Sequence, residues 1–263
     1  MPPRATPKPQ RSATIGSVEK AVSLLKILGD GLPEAGVSEL ARRLNVHKST
    51  ASRLLATLER GGLVERDPRT DKYHLGFELV RLAGQVPRYA DLIELVLPAL
   101  EALAQKTGET INLALPDDGQ VINIYQISSR HLVTETNWVG RRTAYHCVAN
   151  GKALLAWRSE AEIAQLLVGR LERFTPNTLT TRRALLDDLA RARERGYAIA
   201  LEELEIGLHA IAAPIRDAQG DVIAAVSVSG PAYRVTLDRV PELGAQTIQA
   251  AERISRRLGW AGR

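Results

Sequence analysis

Five groups of side chains in this 263-residue chain have the types and spacing to do chemistry. Adjacent His146 and Cys147 are the two groups a thiol nucleophile and its base would need. Asn150-Gly151-Lys152 has the glycine and cation of a phosphate-cradling loop. Glu202, Glu203 and Glu205, with His209 four residues beyond the last, offer oxygen and imidazole ligands to a metal. Lys48, Ser49, Ser52, Arg53 and Thr57 set short hydroxyls beside long cations. Ser227 and Ser229 stand two apart in an apolar run, so on a strand they share a face with Ala225.

The first three groups do not assemble into a site. On a strand, His146 and Cys147 point to opposite faces, and a lone cysteine behaves as a small buried hydrophobe. The 150–152 stretch lacks the preceding glycine and the hydroxyl after the lysine that a phosphate loop uses. The three glutamates read as solvated loop acids. The expectation is therefore a protein with no catalytic constellation, no metal site and no cofactor. A single cysteine excludes an internal disulfide and any cysteine-rich zinc site. No apolar run nears the roughly 18 residues of a membrane span, so no membrane partner is expected. Residues 1–13 are rich in Pro, Lys and Arg and read as a disordered basic tail, not a signal peptide. These features suit the cytoplasm.

The fourth group sits where the charge is. Residues 1–90 hold 15 Lys and Arg against 9 Asp and Glu, and the other 173 hold 20 against 21. The whole positive excess lies in the first third, as in a nucleic-acid-binding module joined to a near-neutral domain; a solvated basic surface is the plain alternative. There Val18, Ala21, Val22, Leu25 and Leu28 follow helical spacing, with Ser17 as cap and Gly29-Asp30-Gly31 as stop. A second helix runs from Val37 to Leu44 with Ser38 as cap, closed by Asn45-Val46. A third starts near His47 and runs to Arg60, with Ala51, Leu54, Leu55 and Leu58 inward. Its other face carries almost no acid, and small polar residues beside cations are what a major-groove reader needs. Gly61-Gly62 stops it. Two short strands, 63–67 and 72–75, follow around the polar turn 68–71, with Arg66, Arg69 and Lys72 at the hairpin tip, where they could meet phosphates. Helix, helix, turn, helix, hairpin is a winged helix-turn-helix, a module that docks either DNA or protein.

Those elements carry a resemblance. S-V-E-K-A-V-S-L-L (17–25), V-S-E-L-A-R-R-L-N-V-H-K-S-T-A-S-R-L-L-A-T-L (37–58) and G-L-V-E-R-D-P-R-T-D-K-Y-H-L-G (62–76) resemble the DNA-binding domain of the IclR family of bacterial transcription regulators. The likeness continues at 141–156 and 205–231, in the same order. It implies an α+β protein with residues 1–13 as tail, 14–78 as winged helix-turn-helix, 79–91 as linker helix and 92–263 as a GAF/PAS-like effector-binding and oligomerisation domain with an antiparallel sheet. It also implies a homodimer or dimer of dimers on a pseudo-palindromic duplex operator, with a small-molecule effector. The expected DNA-contacting residues are Ser38, His47, Lys48, Ser49, Thr50, Ser52, Arg53, Arg66, Arg69 and Lys72. A ligand-sensing adaptor whose winged helix docks protein is the rival.

Downstream, Pro87 and Gly84 interrupt an apolar helical stretch from Phe77 to Val96, which places a kink or boundary at 85–91. A helix is expected over 92–106. Strands are expected at 110–115, 121–126, 132–136, 197–201, 209–215 and 222–229, with a turn at Pro116-Asp117-Asp118-Gly119. Helices are expected at 149–157, 160–168, 182–195 and 237–258. Strands flanked by helices argue for an antiparallel sheet with helices packed on it. The hydroxyls of Ser227 and Ser229, if buried, either bond to neighbouring backbone or face a polar ligand. The resemblance implies effector contacts from Ala149, Asn150, Ala210, Ser227 and Ser229, with Ala200 nearby. The small Ala200 and Ala210 argue against an effector like glyoxylate or pyruvate and leave room for a larger, less polar one. An organic acid or an aromatic compound is the expectation.

Overall fold

A computed structural model describes residues 15–29, 32–83, 85, 89–129, 137–167 and 169–262, in two compact units that divide between Tyr89 and Ala90. The tail 1–13, Asp30-Gly31, Gly84, Pro87 and the strand expected at 132–136 lie outside the described residues.

The first unit contains α1 (Gly16–Gly29), α2 (Val37–Arg43), α3 (Lys48–Arg60), the hairpin β1 (Val64–Arg66) and β2 (Tyr73–Leu75), and α4 (Glu78–Ala83). Its core joins Leu24 and Leu28 to Leu40, Leu55, Leu58, Val64 and Tyr73. The α2–α3 turn closes because Asn45 takes a left-handed φ of 52°, which asparagine tolerates. Neither expected serine cap forms. The helix α1 starts at Gly16, with the Ile15 carbonyl accepting from the amides of Val18 and Glu19, so Ser17 lies inside it. Gly36 precedes α2 and Ser38 falls within its first turn. The apolar stripe of α1 is also wider than its core: Leu24 and Leu28 are buried, whereas Val18 and Val22 are 56% and 46% exposed. Leu54 is only half-buried, at the edge of an open groove that it shares with Val18, Val22 and Leu25.

The second unit is a six-stranded antiparallel sheet. Its strands are β3 (Thr110–Asp117), β4 (Gln120–Ile127), β5 (Arg142–Thr143), β6 (Ala198–Leu201), β7 (Leu208–Arg216) and β8 (Val222–Pro231), in the order β5-β4-β3-β8-β7-β6. Asp118 and Gly119, both at positive φ, make the two-residue β3–β4 turn, so Pro116 and Asp117 belong to the strand. On one face lie α6 (Ala149–Leu155), α7 (Glu160–Leu166) and α8 (Arg182–Arg195), closed around Ala114, Val121, Ala212 and Ala225. On the other, α9 (Val240–Arg257) packs against β7 and β8 and runs beside α5 (Tyr89–Thr107).

Two irregularities decide which side chains reach the α6 face. The β3–β4 register shifts between Leu113 and Ala114, so Asn123 sits opposite Ala114 while Tyr125 sits opposite Leu113. The β7–β8 register shifts after Ile215, and Val222 packs with Ala225 rather than on the face of Val226 and Val228. Strict alternation fails at both places because a bulge inserts one residue on one strand only.

Candidate functional site

In the first unit, α3 begins at an imidazole cap: the Ser49 amide donates to His47 Nδ1 at 3.4 Å, and Ser49 Oγ lies 2.8 Å from the same nitrogen. His47, Lys48, Ser49, Ser52 and Arg53 are exposed and Thr50 is half-buried. Lys48 and Arg53 make no ion pair among the described residues, so this helix face keeps its charge. Ser38 is exposed on α2.

The hairpin tip is different. Arg66 pairs with Asp71 at 2.9 Å, Arg69 with Asp67 at 3.7 Å, and Lys72 with Glu34 at 2.5 Å. Each of these three cations, expected to meet phosphates, carries its own carboxylate, so meeting a phosphate means exchanging one anion for another. The Asp67 and Asp71 partners are placed by the turn itself, Asp71 at a φ of 57°.

In the second unit, His146 and Cys147 lie on a 3-10 turn (Tyr145–Cys147), not a strand. Both are buried and already engaged: His146 Nε2 donates to the Glu172 carbonyl at 2.8 Å, and Cys147 Sγ to the Ala144 carbonyl at 3.4 Å. Burial, then the nearby Glu203 charge, pushes the thiol up to about 12. A thiol that stays protonated at neutral pH is no nucleophile. Native protein is therefore expected to resist alkylation at about pH 8 and to react only on unfolding. Cys147→Ser should leave its binding activities intact. Rapid labelling of folded protein would restore a reactive role.

The glutamates are not all solvated. Glu205 is exposed, but Glu203 is buried with its Oε1 at 2.6 Å from Lys152 Nζ, which also donates to Asp188 Oδ2 at 2.8 Å. His209 Nδ1 donates to the Val235 carbonyl at 2.7 Å. Among the described residues no cluster could hold a metal.

A cavity opens where α6 starts beneath the sheet. Its volume is about 50 Å³, and the space opens to solvent. Ala149, Asn150, Ala210, Ser227 and Ser229 all line it. Ala200, paired with Ala210 across β6–β7, lies instead in the apolar cluster beneath α6 and α8. The serines line the cavity on the face they share with Ala225. Sequence reasoning missed Asn112, Asn123, Trp138 and Thr143, which complete the polar wall and its edge. A signal was present: T-I-N-L-A-L and V-I-N-I-Y each carry one asparagine in an apolar strand, which demands a buried partner.

Residues 17–68 match the IclR helix-turn-helix domain, and residues 85–256 match the family described as bacterial transcriptional regulator IclR C-terminal. The chain is 36% identical over 248 residues to the HTH-type transcriptional regulator KdgR of Escherichia coli, covering 94% of each. It superposes on the Thermotoga maritima IclR structure with a TM-score of 0.77 at 31% identity, over 94% of this chain and 100% of that one. An IclR homolog from Microbacterium hydrocarbonoxydans, complexed with 4-hydroxybenzoate, gives a TM-score of 0.81 at 28% identity, over 92% and 98%.

Proposed function

The chain belongs to the IclR family of bacterial transcription regulators, and from that premise we propose that it grips a duplex operator with α3 and adjusts that grip when a small molecule fills the α6 cavity. Regulation, not catalysis, is the activity of this family. The observation that carries the reading is the exposed face of α3, where unpaired Lys48 and Arg53 flank the hydroxyls of Ser49 and Ser52. Short hydroxyls let a helix approach base edges, and a free guanidinium serves a guanine or a phosphate. The wing adds position more than charge, because its Arg66, Arg69 and Lys72 are matched by acids.

A single winged helix reads few base pairs, so the operator is pseudo-palindromic and the regulator binds it as a homodimer or a dimer of dimers. The open apolar residues Val18 and Val22 on α1 support self-association. No described helix is long and apolar enough to cross a membrane, and the cytoplasm is where such a regulator meets its operator. The effector is a small organic molecule, a reading supported by the 4-hydroxybenzoate in the Microbacterium relative. Its binding shifts operator affinity by its preference between two arrangements of the dimer, about 1–3 kcal/mol in typical allosteric coupling.

The test is gel retention on duplex DNA across a salt series, since phosphate contacts make affinity fall steeply with salt. Arg53→Ala is expected to weaken operator binding by about 1–3 kcal/mol with folding unchanged. Binding equal to wild type would take α3 out of the groove, and salt-independent retention would favour a protein partner.

A further inference from the structure

On the reading that the α6 cavity takes the effector, we propose that the ligand is a short polyhydroxylated carbon chain with at least two neighbouring hydroxyls, of the alditol or aldonate kind. Three buried polar atoms have no hydrogen-bond partner among the protein atoms around them: Asn112 Oδ1, Thr143 Oγ1 and Asn150 Oδ1. All three residues line the same cavity, and Asn112 and Asn150 are 4% and 7% exposed. Buried polar groups are normally paired, so three orphans around one space mark a place for a ligand with several polar groups.

The chemistry of the array selects which polar group. Asn112 Nδ2 donates to Ser229 Oγ at 3.1 Å, and Asn150 Nδ2 donates to Asn123 Oδ1 at 3.2 Å. Each amide is thus held at one end and presents the other. Turning an amide over changes which atom is presented but still leaves one unpaired. A hydroxyl both donates and accepts, so it satisfies either orientation, as well as the Thr143 hydroxyl; a carboxylate only accepts. Ser227 Oγ makes no hydrogen bond among the described residues and adds a further hydroxyl to the same wall. Among the described residues no Lys, Arg or His side chain lines the cavity.

The lining also has an apolar part, with Trp138, Val148, Leu204 and Leu208. A carbon chain carrying hydroxyls along one edge presents its C–H groups to that part. A benzene ring with one polar substituent would leave most of the amide and hydroxyl array unpaired. The polar array therefore favours hydroxyl-rich aliphatic compounds over aromatic ones.

The experiment is calorimetry on the full chain with alditols of four to six carbons, the matching aldonates, and benzoate and 4-hydroxybenzoate as the aromatic arm. At least one alditol or aldonate is expected to bind, and Asn112→Ala and Asn150→Ala each to weaken it tenfold or more. Thr143→Val keeps the side-chain shape, and weakening by this variant serves if an asparagine variant fails to fold. Comparing each alditol with its aldonate tells whether a carboxylate end contributes. No binding by any polyol, or polyol binding unchanged in every folded variant, overturns the proposal. An aromatic acid that binds alone, shifts operator retention and is blocked by Ala210→Trp sinks the ligand class and leaves the effector cavity standing. A polyol indifferent to Ala210→Trp sinks both.

Discussion

Lys152→Met is expected to lower the stability of the protein by about 3–5 kcal/mol, the cost of stranding a buried charge by removing its partner. Lys152 is fully buried and holds two carboxylates, Asp188 at 2.8 Å and Glu203 at 2.6 Å, which come from α8 and the β6–β7 loop. Without it, Asp188 keeps Arg191 at 3.3 Å, but Glu203 keeps no cation. Glu203 is already poorly served, since its Oε2 has no hydrogen-bond partner. Burial raises its carboxyl above the usual range, while the Lys152 charge and hydrogen bond pull it back.

The pH dependence follows with a definite sign. An acid whose folded pKa is raised binds its proton more tightly when folded. Its contribution is complete below the ordinary glutamate value of about 4.3 and is lost as pH rises through the folded value. Removing Lys152 takes away the main opposing influence, so the variant should lose stability more steeply than wild type between about pH 5 and 8. Glu203→Gln in the same background should recover part of the loss and flatten that slope. Denaturant unfolding of the full chain across this range checks it. A Lys152→Met protein as stable as wild type at about pH 8 would mean that the lysine is not what neutralises the loop.

This triad also shows where sequence reading stops. The helix over 182–195 is marked at both ends, by the Thr181 cap and by Gly196 at a φ of 85°, and both signals are local. The helix α3 and the shared face of the two serines were legible for the same reason: one period and one parity determine each. Glu203 was read as a solvated loop acid because its partner lies 51 residues away, and no local pattern reports burial by a distant lysine. No local pattern pairs Lys72 with Glu34, which it meets across 38 residues. Asn123 reaches the cavity through a bulge, and a bulge is a property of the strand pair. The α1 stripe showed its period, but a period does not say how much of an apolar face its own domain covers.

Gly151→Ala is expected to be the other severe substitution, costing about 2–3 kcal/mol net through overpacking. Helix propensity alone would favour it, because alanine in a helix interior is worth about 1 kcal/mol over glycine. The contacts reverse that preference. A Cβ at Gly151 would stand 2.3 Å from the Tyr145 carbonyl oxygen, 2.6 Å from its Cα and 2.7 Å from its carbonyl carbon. All three are backbone atoms of the turn before α6, so no rotamer change relieves the clash, and Tyr145 is itself buried. The helix must therefore move away from the turn. That movement carries Ala149 and Asn150, which line the cavity, and stretches the 3.2 Å bond from Asn150 to Asn123. Ligand response should fall together with stability, while operator binding by whatever protein remains folded persists, because α3 belongs to the other unit. Unfolding curves and a ligand titration read the first two effects, and gel retention without ligand reads the third. A Gly151→Ala protein more stable than wild type would show that helix propensity wins, and that α6 is not pressed against its turn.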